Sequence, residues 1–289
     1  MKNYINLQTG YNYCINYRVL KNSFLTASML YSALCIVSLW TCSLAFPLLP
    51  KINRTYYEQW EVAEEYLNKF YAYSPEPQKK HFENKVKEMQ KFFRLEETGL
   101  LNHKTMEIIQ KPRCGVPDVQ NFQLYPFTPK WPSNVVTYRI VSYTSDLPRY
   151  KVDQLVEQAL GKWSEVSALT FKKVLIGDAD IRIGFARGAH GDFYPFDGPG
   201  GILAHAFEPG IGIGGDAHFD NDEQWSDGSQ LGVNFLFAAT HELGHSLGLG
   251  HSSDPNAVMY PTYDASNSGD INLSEDDIKG IQALYGKGD

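Results

Sequence analysis

Beyond residue 42 this chain of 289 residues holds one cysteine, Cys114. A single thiol cannot close an intrachain disulfide, so no cystine framework staples residues 43–289. Basic residues are scarce in the same direction. From Phe122 to the end there are 11 Lys+Arg against 22 Asp+Glu, a net charge of −11, whereas residues 1–121 carry 15 against 11, a net of +4. An acidic domain is unsuited to the phosphate backbone of nucleic acid, so a nucleic-acid partner is excluded. The same charge suits a domain that holds several divalent cations. Methionine is missing between residues 106 and 259 and again after it. Internal repeats are missing too, and so is any apolar run long and clean enough for a confident membrane span.

The one substantial apolar run, Met29 to Leu44, follows Lys21 and ends at Ser43-Leu44-Ala45, a small-x-small cleavage pattern. It reads as a secretory signal cut after Ala45, with residues 1–45 as leader and signal and Met29 as an alternative start. Cys14, Cys35 and Cys42 fall within it, so the secreted chain keeps Cys114 alone. Asn53-Arg54-Thr55 and Asn272-Leu273-Ser274 are glycosylation sequons consistent with that route.

Apolar spacing predicts a helix over 57–73, ended by Pro75 and Pro77, an amphipathic helix over 78–93 and a short one over 103–110. This small helical unit stops at Lys111-Pro112-Arg113-Cys114-Gly115-Val116-Pro117-Asp118, where two prolines enforce an extended path. Arg113 is expected to pair with Asp118 and shape that loop, a solvated arginine being the alternative. Strands are then expected over 135–141, 171–174 and 180–185, and helices over 152–166, 235–247 and 273–285. Residues 186–218 form a glycine-rich stretch with scattered His and Asp. Strands alternating with helices indicate a mixed α/β arrangement.

Residues 241–251 read His-Glu-Leu-Gly-His-Ser-Leu-Gly-Leu-Gly-His. His241 and His245 lie four apart and share a helix face. Gly248 lets the helix stop and turn back, and His251 arrives after the turn. Three protein ligands leave a fourth zinc position for water, the mark of a catalytic rather than a structural zinc, and Glu242 stands beside the first ligand as general base. Ala257-Val258-Met259-Tyr260-Pro261 follows, so the segment matches the metzincin signature of H-E-x-x-H-x-x-G-x-x-H with its Met-turn.

Arg113-Cys114-Gly115-Val116-Pro117-Asp118, the zinc helix and the Met-turn, in that order, resemble a matrix metalloproteinase zymogen from about Trp60 to Gly286, in the short form without a haemopexin-like domain. The resemblance implies an α+β fold: a small helical prodomain over 46–121, then a metzincin zinc-protease domain over 122–289 with a mixed, mostly parallel five-stranded sheet and three helices. It implies that Cys114 ligates the catalytic zinc of the zymogen, displacing the nucleophile. It also implies a structural zinc held by His190, Asp192, His205 and His218, a closed four-ligand set. Two or more calcium ions are implied, one on Asp197, Gly198, Gly200, Ile202, Asp220 and Glu223, another on Asp180, Gly212, Gly214 and Asp216. Substrate contacts fall on Leu203, Ala204, Phe237, Pro261 and Tyr263. The activity implied is that of a secreted zinc- and calcium-dependent endopeptidase acting on extracellular matrix and other extracellular proteins. Tissue inhibitors of metalloproteinases are the implied protein partners, and the secreted form is expected to be monomeric with no membrane span. Two other readings differ in kind. An astacin-type endopeptidase is disfavoured by Met259-Tyr260-Pro261, and a non-catalytic zinc-binding protein by the intact Glu242.

Overall fold

The computed structural model describes residues 54–71, 78–119, 129–229, 231–263 and 271–288, the side chains of 54–57 and 78–81 excepted. The leader and signal, the Asn53 sequon and the boundary at Phe122 lie outside the described residues.

Three helices open the described chain: α1 (Arg54–Phe70), α2 (Gln78–Phe92) and α3 (His103–Ile109). They pack because each carries an apolar stripe at helical spacing. Ala63, Tyr66, Leu67 and Phe70 of α1 meet Val86 and Met89 of α2, the adjoining Phe93, and Met106 and Ile109 of α3, all buried. Burying each of the larger of these side chains contributes about 1.5–3 kcal/mol. The cluster does not stop at the helical unit, since it takes in Phe196 and Ile202 as well. Gln90, fully buried, spans this unit, donating to Thr98, Thr105 and the Leu100 carbonyl and accepting from the Gly99 amide. The first helix ends three residues earlier than the periodicity predicts. Tyr71 keeps a helical hydrogen bond to the Leu67 carbonyl, but its hydroxyl turns inward to Asp118.

The remaining elements are β1 (Arg113–Cys114), β2 (Val135–Ile140), α4 (Arg149–Val166), β3 (Thr170–Lys173), β4 (Ile181–Ala186), β5 (Ile202–Ala206), β6 (Ala217–Asp220), β7 (Trp225–Ser226), β8 (Val233–Asn234), α5 (Phe235–Ser246) and α6 (Glu275–Tyr285). The main sheet runs β1-β5-β6-β4-β2-β3, with β5–β6 the one antiparallel pair, and β7–β8 form a separate two-stranded ribbon. The fold is thus α+β as expected, with three helices and five main-sheet strands after the helical unit, and β1 added to that sheet as a sixth strand from the unit. Strand β5 lies within the glycine-rich stretch and β6 runs across its end, where no periodicity announces them: all five residues of β5 are buried, so it shows no polar alternation.

Helix α4 begins at Arg149, ahead of the predicted 152, because Pro148 at the cap has a helix-compatible φ of −57° and its carbonyl accepts from Lys151 and Val152. Its buried stripe of Val152, Leu155, Val156, Ala159, Leu160 and Trp163 faces α5, and the Trp163 indole donates to the Thr240 carbonyl. Helix α6 begins with a capping box, Ser274 and Asp277 exchanging hydrogen bonds.

Candidate metal centres and substrate cleft

Asn234 caps α5, its side chain accepting from the Leu236 and Phe237 amides. The helix ends because Gly248 takes φ +97°, with Gly248 N–H bonded to the His245 carbonyl and Leu249 N–H to that of Gly244. A Cβ on Gly248 would lie 2.1 Å from the Pro129 carbonyl oxygen, so both the backbone angle and the space demand glycine. The turn delivers His251 to the two helix histidines. Nε2 of His241 lies 3.1 Å from Nε2 of His245 and 3.3 Å from Nε2 of His251. The opposite ring nitrogens are anchored: Nδ1 of His241 to the Val258 carbonyl at 2.7 Å and Nδ1 of His245 to the Leu249 carbonyl at 2.8 Å. This leaves the Nε2 lone pairs of both pointing at one point, the arrangement a metal ligand needs. Burial pushes His241 down to about 3 and His245 well below the usual imidazole range, with repulsion from His251 adding to both, so the rings are neutral.

Cys114 completes the group. Its Sγ lies 3.5 Å from Nε2 of His245, and the four ligand atoms fall within 4.8 Å of one another. Three imidazoles and one thiolate suit zinc by donor type and number. Glu242 lies buried beside them with Oε2 lacking a hydrogen-bond partner. Burial pushes Glu242 up to about 8, opposed by a hydrogen bond from Cys114.

Met259 is 2% exposed and lies against the zinc helix, where a Cβ on Gly244 would come within 2.3 Å of its sulfur. Asp277 holds this turn in place by accepting from the Val258 and Met259 amides at 2.8 and 3.1 Å.

The Cys114 segment is fixed on both sides. Arg113 N–H donates to Gly201 and Gly115 N–H to Ala204, while Cys114 N–H donates to Pro261 and Tyr263 N–H to Pro112. Strand β1 therefore covers the edge that β5 would otherwise expose, running parallel to it with Cys114 opposite Ala204. Gly115 permits this approach: a Cβ there would come 3.0 Å from Ile202 and 3.2 Å from His205. The Arg113–Asp118 pair expected from sequence is present, buried, with Nη2 and Oδ1 2.5 Å apart. Its surroundings were not legible in the sequence. The Arg113 guanidinium lies 3.5 Å from the Phe70 ring centroid and 5.0 Å from that of Tyr66, and Tyr71 donates to Asp118 at 2.6 Å.

A second group gathers His190, Asp192, His205 and His218. Oδ2 of Asp192 lies 2.8, 2.7 and 2.7 Å from a ring nitrogen of each histidine in turn. Burial alone would raise Asp192, but the Tyr194 amide and the side chains of His205 and His218 hold it below the ordinary carboxylate range. Burial lowers His205 to about 4 against the pull of Asp192. The ring of Phe196 stacks on His190, which ties this site to the core shared with the helical unit.

The oxygen-donor residues divide. In the first set burial raises Asp220 and Glu223, repulsion from Asp197 adding to both, and Oδ2 of Asp220 is buried without a partner. Gly200 N–H donates to Glu223 and Ile202 N–H to Asp197. In the second set, Asp180 accepts from the amide and hydroxyl of Thr137, and Asp216 from the Arg182 amide.

Leu203, Ala204, Phe237, Pro261 and Tyr263 all line one cleft beside Cys114, His241 and Glu242. Ala238, Tyr260 and Thr262 line it too and were not foreseen. The Phe237 and Tyr263 rings meet edge to face at 5.8 Å, and the Tyr263 hydroxyl accepts from the Asn234 amide.

The matrixin family profile matches residues 130–286, more than half of the chain. The chain belongs to the matrixins. A peptidoglycan-binding-domain profile matches residues 57–109, the helical unit that precedes the peptidase. The chain is 62% identical to human matrilysin over 260 residues, covering 90% of this chain and 97% of that one. It is 59% identical to rat matrilysin over 262 residues, covering 90% and 98%. Stromelysin-2 of the rat is 51% identical over 254 residues, but this chain spans only 52% of its length. As a matrixin the chain is a metalloendopeptidase, and the two His-rich groups are its zinc sites. Family membership excludes the astacin and non-catalytic readings.

Proposed function

We propose that this chain is a secreted, latent zinc endopeptidase whose propeptide ends at Asn121 and whose peptidase domain runs from Phe122 to Asp289. The observation that carries the reading is the convergence of Cys114 with His241, His245 and His251 while β1 occupies the sheet edge beside them. His241, His245 and His251 hold the catalytic zinc, which supplies Lewis acidity toward water and the scissile carbonyl. Glu242 accepts the proton of the attacking water and passes it to the leaving amine. Its buried Oε2, which has no hydrogen-bond partner, is free to take that proton. Cys114 blocks this chemistry in the intact chain.

His190, Asp192, His205 and His218 hold the structural zinc. Asp197, Gly198, Gly200, Ile202, Asp220 and Glu223 hold one calcium ion, and Asp180, Gly212, Gly214 and Asp216 another. The buried, partnerless Oδ2 of Asp220 supports the first assignment; donor type alone supports the second. Once β1 leaves, the freed edge of β5 at Leu203 and Ala204 offers main-chain groups to an extended peptide, and Phe237, Pro261 and Tyr263 receive its side chain. The substrates are extracellular matrix and other extracellular proteins, and tissue inhibitors of metalloproteinases are the protein partners. The deciding experiment is peptide hydrolysis before and after propeptide cleavage, with and without chelator, alongside elemental zinc. Chelator-sensitive activity only after cleavage, with two zinc ions per chain, is the expected result; activity in the uncut chain or a single zinc overturns the reading.

A further inference from the structure

The Asp118 side chain is fully buried and meets more groups than its ion pair requires. Oδ2 takes the Tyr71 hydroxyl at 2.6 Å and Nη1 of Arg113 at 3.1 Å. Oδ1 takes Nη2 of Arg113 and also lies 2.9 Å from Nδ1 of His251, both side chains having no solvent exposure. Nδ1 of His251 makes no hydrogen bond of acceptable angle among the described residues, so its 2.9 Å approach to Asp118 is a close charge contact rather than an aligned bond. The third zinc ligand therefore differs from the other two. His241 and His245 lean on main-chain carbonyls of the peptidase domain, whereas His251 leans on a charged carboxylate that belongs to the propeptide.

We propose that Asp118 is a positioning residue for the catalytic zinc of the latent chain, an outer carboxylate that orients His251 and strengthens its donation, and that departs with the propeptide. The proposal rests on the readings that His251 ligates zinc and that activation removes residue 118. A carboxylate close to Nδ1–H favours that imidazole tautomer and raises the basicity of Nε2 more than a neutral carbonyl does. Tyr71 and Arg113 draw on the same carboxylate and so set how much of its charge His251 feels. The propeptide then grips the metal centre twice, by Cys114 at the open position and by Asp118 behind the third ligand. Its removal frees one position and weakens another ligand in the same step.

The test uses the full proenzyme carrying Glu242→Gln, which cannot cut itself, with no further change or with Asp118→Asn, Arg113→Gln or Tyr71→Phe. Release of zinc to an excess of chelator is followed, and the imidazole Nδ1–H resonances are recorded by ¹⁵N–¹H NMR. Asp118→Asn should release the catalytic zinc on the order of tenfold faster. Arg113→Gln breaks the same ion pair but keeps the carboxylate, so it should accelerate release much less. Equal acceleration by both would assign the effect to a loosened propeptide and overturn the proposal. The His251 Nδ1–H proton should stand downfield of those of His241 and His245, and move upfield in Asp118→Asn. In Tyr71→Phe it should move further downfield, because a competing donor is gone; this variant leaves Arg113 intact and answers the question even where Asp118→Asn does not fold. Normal zinc content with unmoved His251 resonances overturns this proposal alone, whereas a chain that binds no zinc at the three histidines overturns the ligand assignment as well.

Discussion

Glu242 and Cys114 sit within one cleft, yet they answer to different measurements. Glu242→Gln keeps the shape of the side chain and removes its basicity. The zinc content should be unchanged, while kcat of the activated enzyme falls at least about a hundredfold, the usual worth of a positioned general base. Steady-state kinetics with parallel metal analysis decides this, and near-normal turnover would remove Glu242 from the mechanism. Cys114→Ser replaces a zinc-binding thiolate with a hydroxyl, a much weaker ligand. The uncut variant should hydrolyse a reporter peptide measurably where the parent chain is silent. Silence in both would place latency in the cover that β1 gives to the cleft rather than in the thiol.

At the scale of elements, the turn between α5 and His251 is the weakest point to perturb. Gly248 has φ +97°, and a Cβ there meets the Pro129 carbonyl at 2.1 Å. Gly248→Ala should cost at least about 2 kcal/mol, since the left-handed angle alone costs 1–2. Because the same turn delivers His251, the variant should also lose catalytic zinc. Thermal melting and metal analysis together test this; a variant with unchanged melting temperature and full zinc would mean the turn can relax. The end of α5 was legible in the sequence because the requirement is local. The added strand β1 was not, because Arg113 and Cys114 read as an extended segment whose partner, β5, lies some ninety residues on in a stretch without alternation.

The whole molecule is held latent by contacts that respond to pH and to cleavage. Burial would raise Asp118, but the adjacent Arg113 and then His251 hold it at about 2, below its ordinary value near 4. A depressed folded-state value contributes stability that is complete above about pH 4 and is lost as pH falls toward 2, in amount about 2 kcal/mol. The stability difference between the proenzyme and its Asp118→Asn form should therefore be largest at pH 5 and shrink by pH 2. A difference that stays constant across that range would show that the carboxylate's charge contributes nothing. Cleavage should leave a new amino terminus at or near Phe122, to be read by amino-terminal sequencing of the fully active form; a start well upstream of Cys114 would contradict both boundary and switch. Two adjacent carboxylates, Asp276 and Asp277, differ in what they offer a freed ammonium: Asp277 is committed to Ser274 and the Met-turn amides, whereas Asp276 is exposed and accepts only from Ser252 among the described hydrogen bonds. An ammonium freed near Phe122 should therefore pair with Asp276, contributing at most about 1 kcal/mol at so exposed a site.

The sequence by itself determined the parts whose geometry is local. Four-residue spacing puts His241 and His245 on one helix face, Gly248 forces the turn, Ser274 and Asp277 close a capping box, and two prolines keep the Cys114 segment extended. It also placed the five cleft residues, through resemblance rather than through spacing. Tertiary structure decided what no local rule encodes. It pairs β1 with β5, carries the helical unit's core onto Phe196 and Ile202, and leaves Oδ2 of Asp220 buried and unmatched. Most of all it brings Tyr71, Arg113 and Asp118 behind His251. These groups are separated by up to 180 positions in the chain, and only the burial of both propeptide and peptidase surfaces in one core brings them within hydrogen-bonding distance.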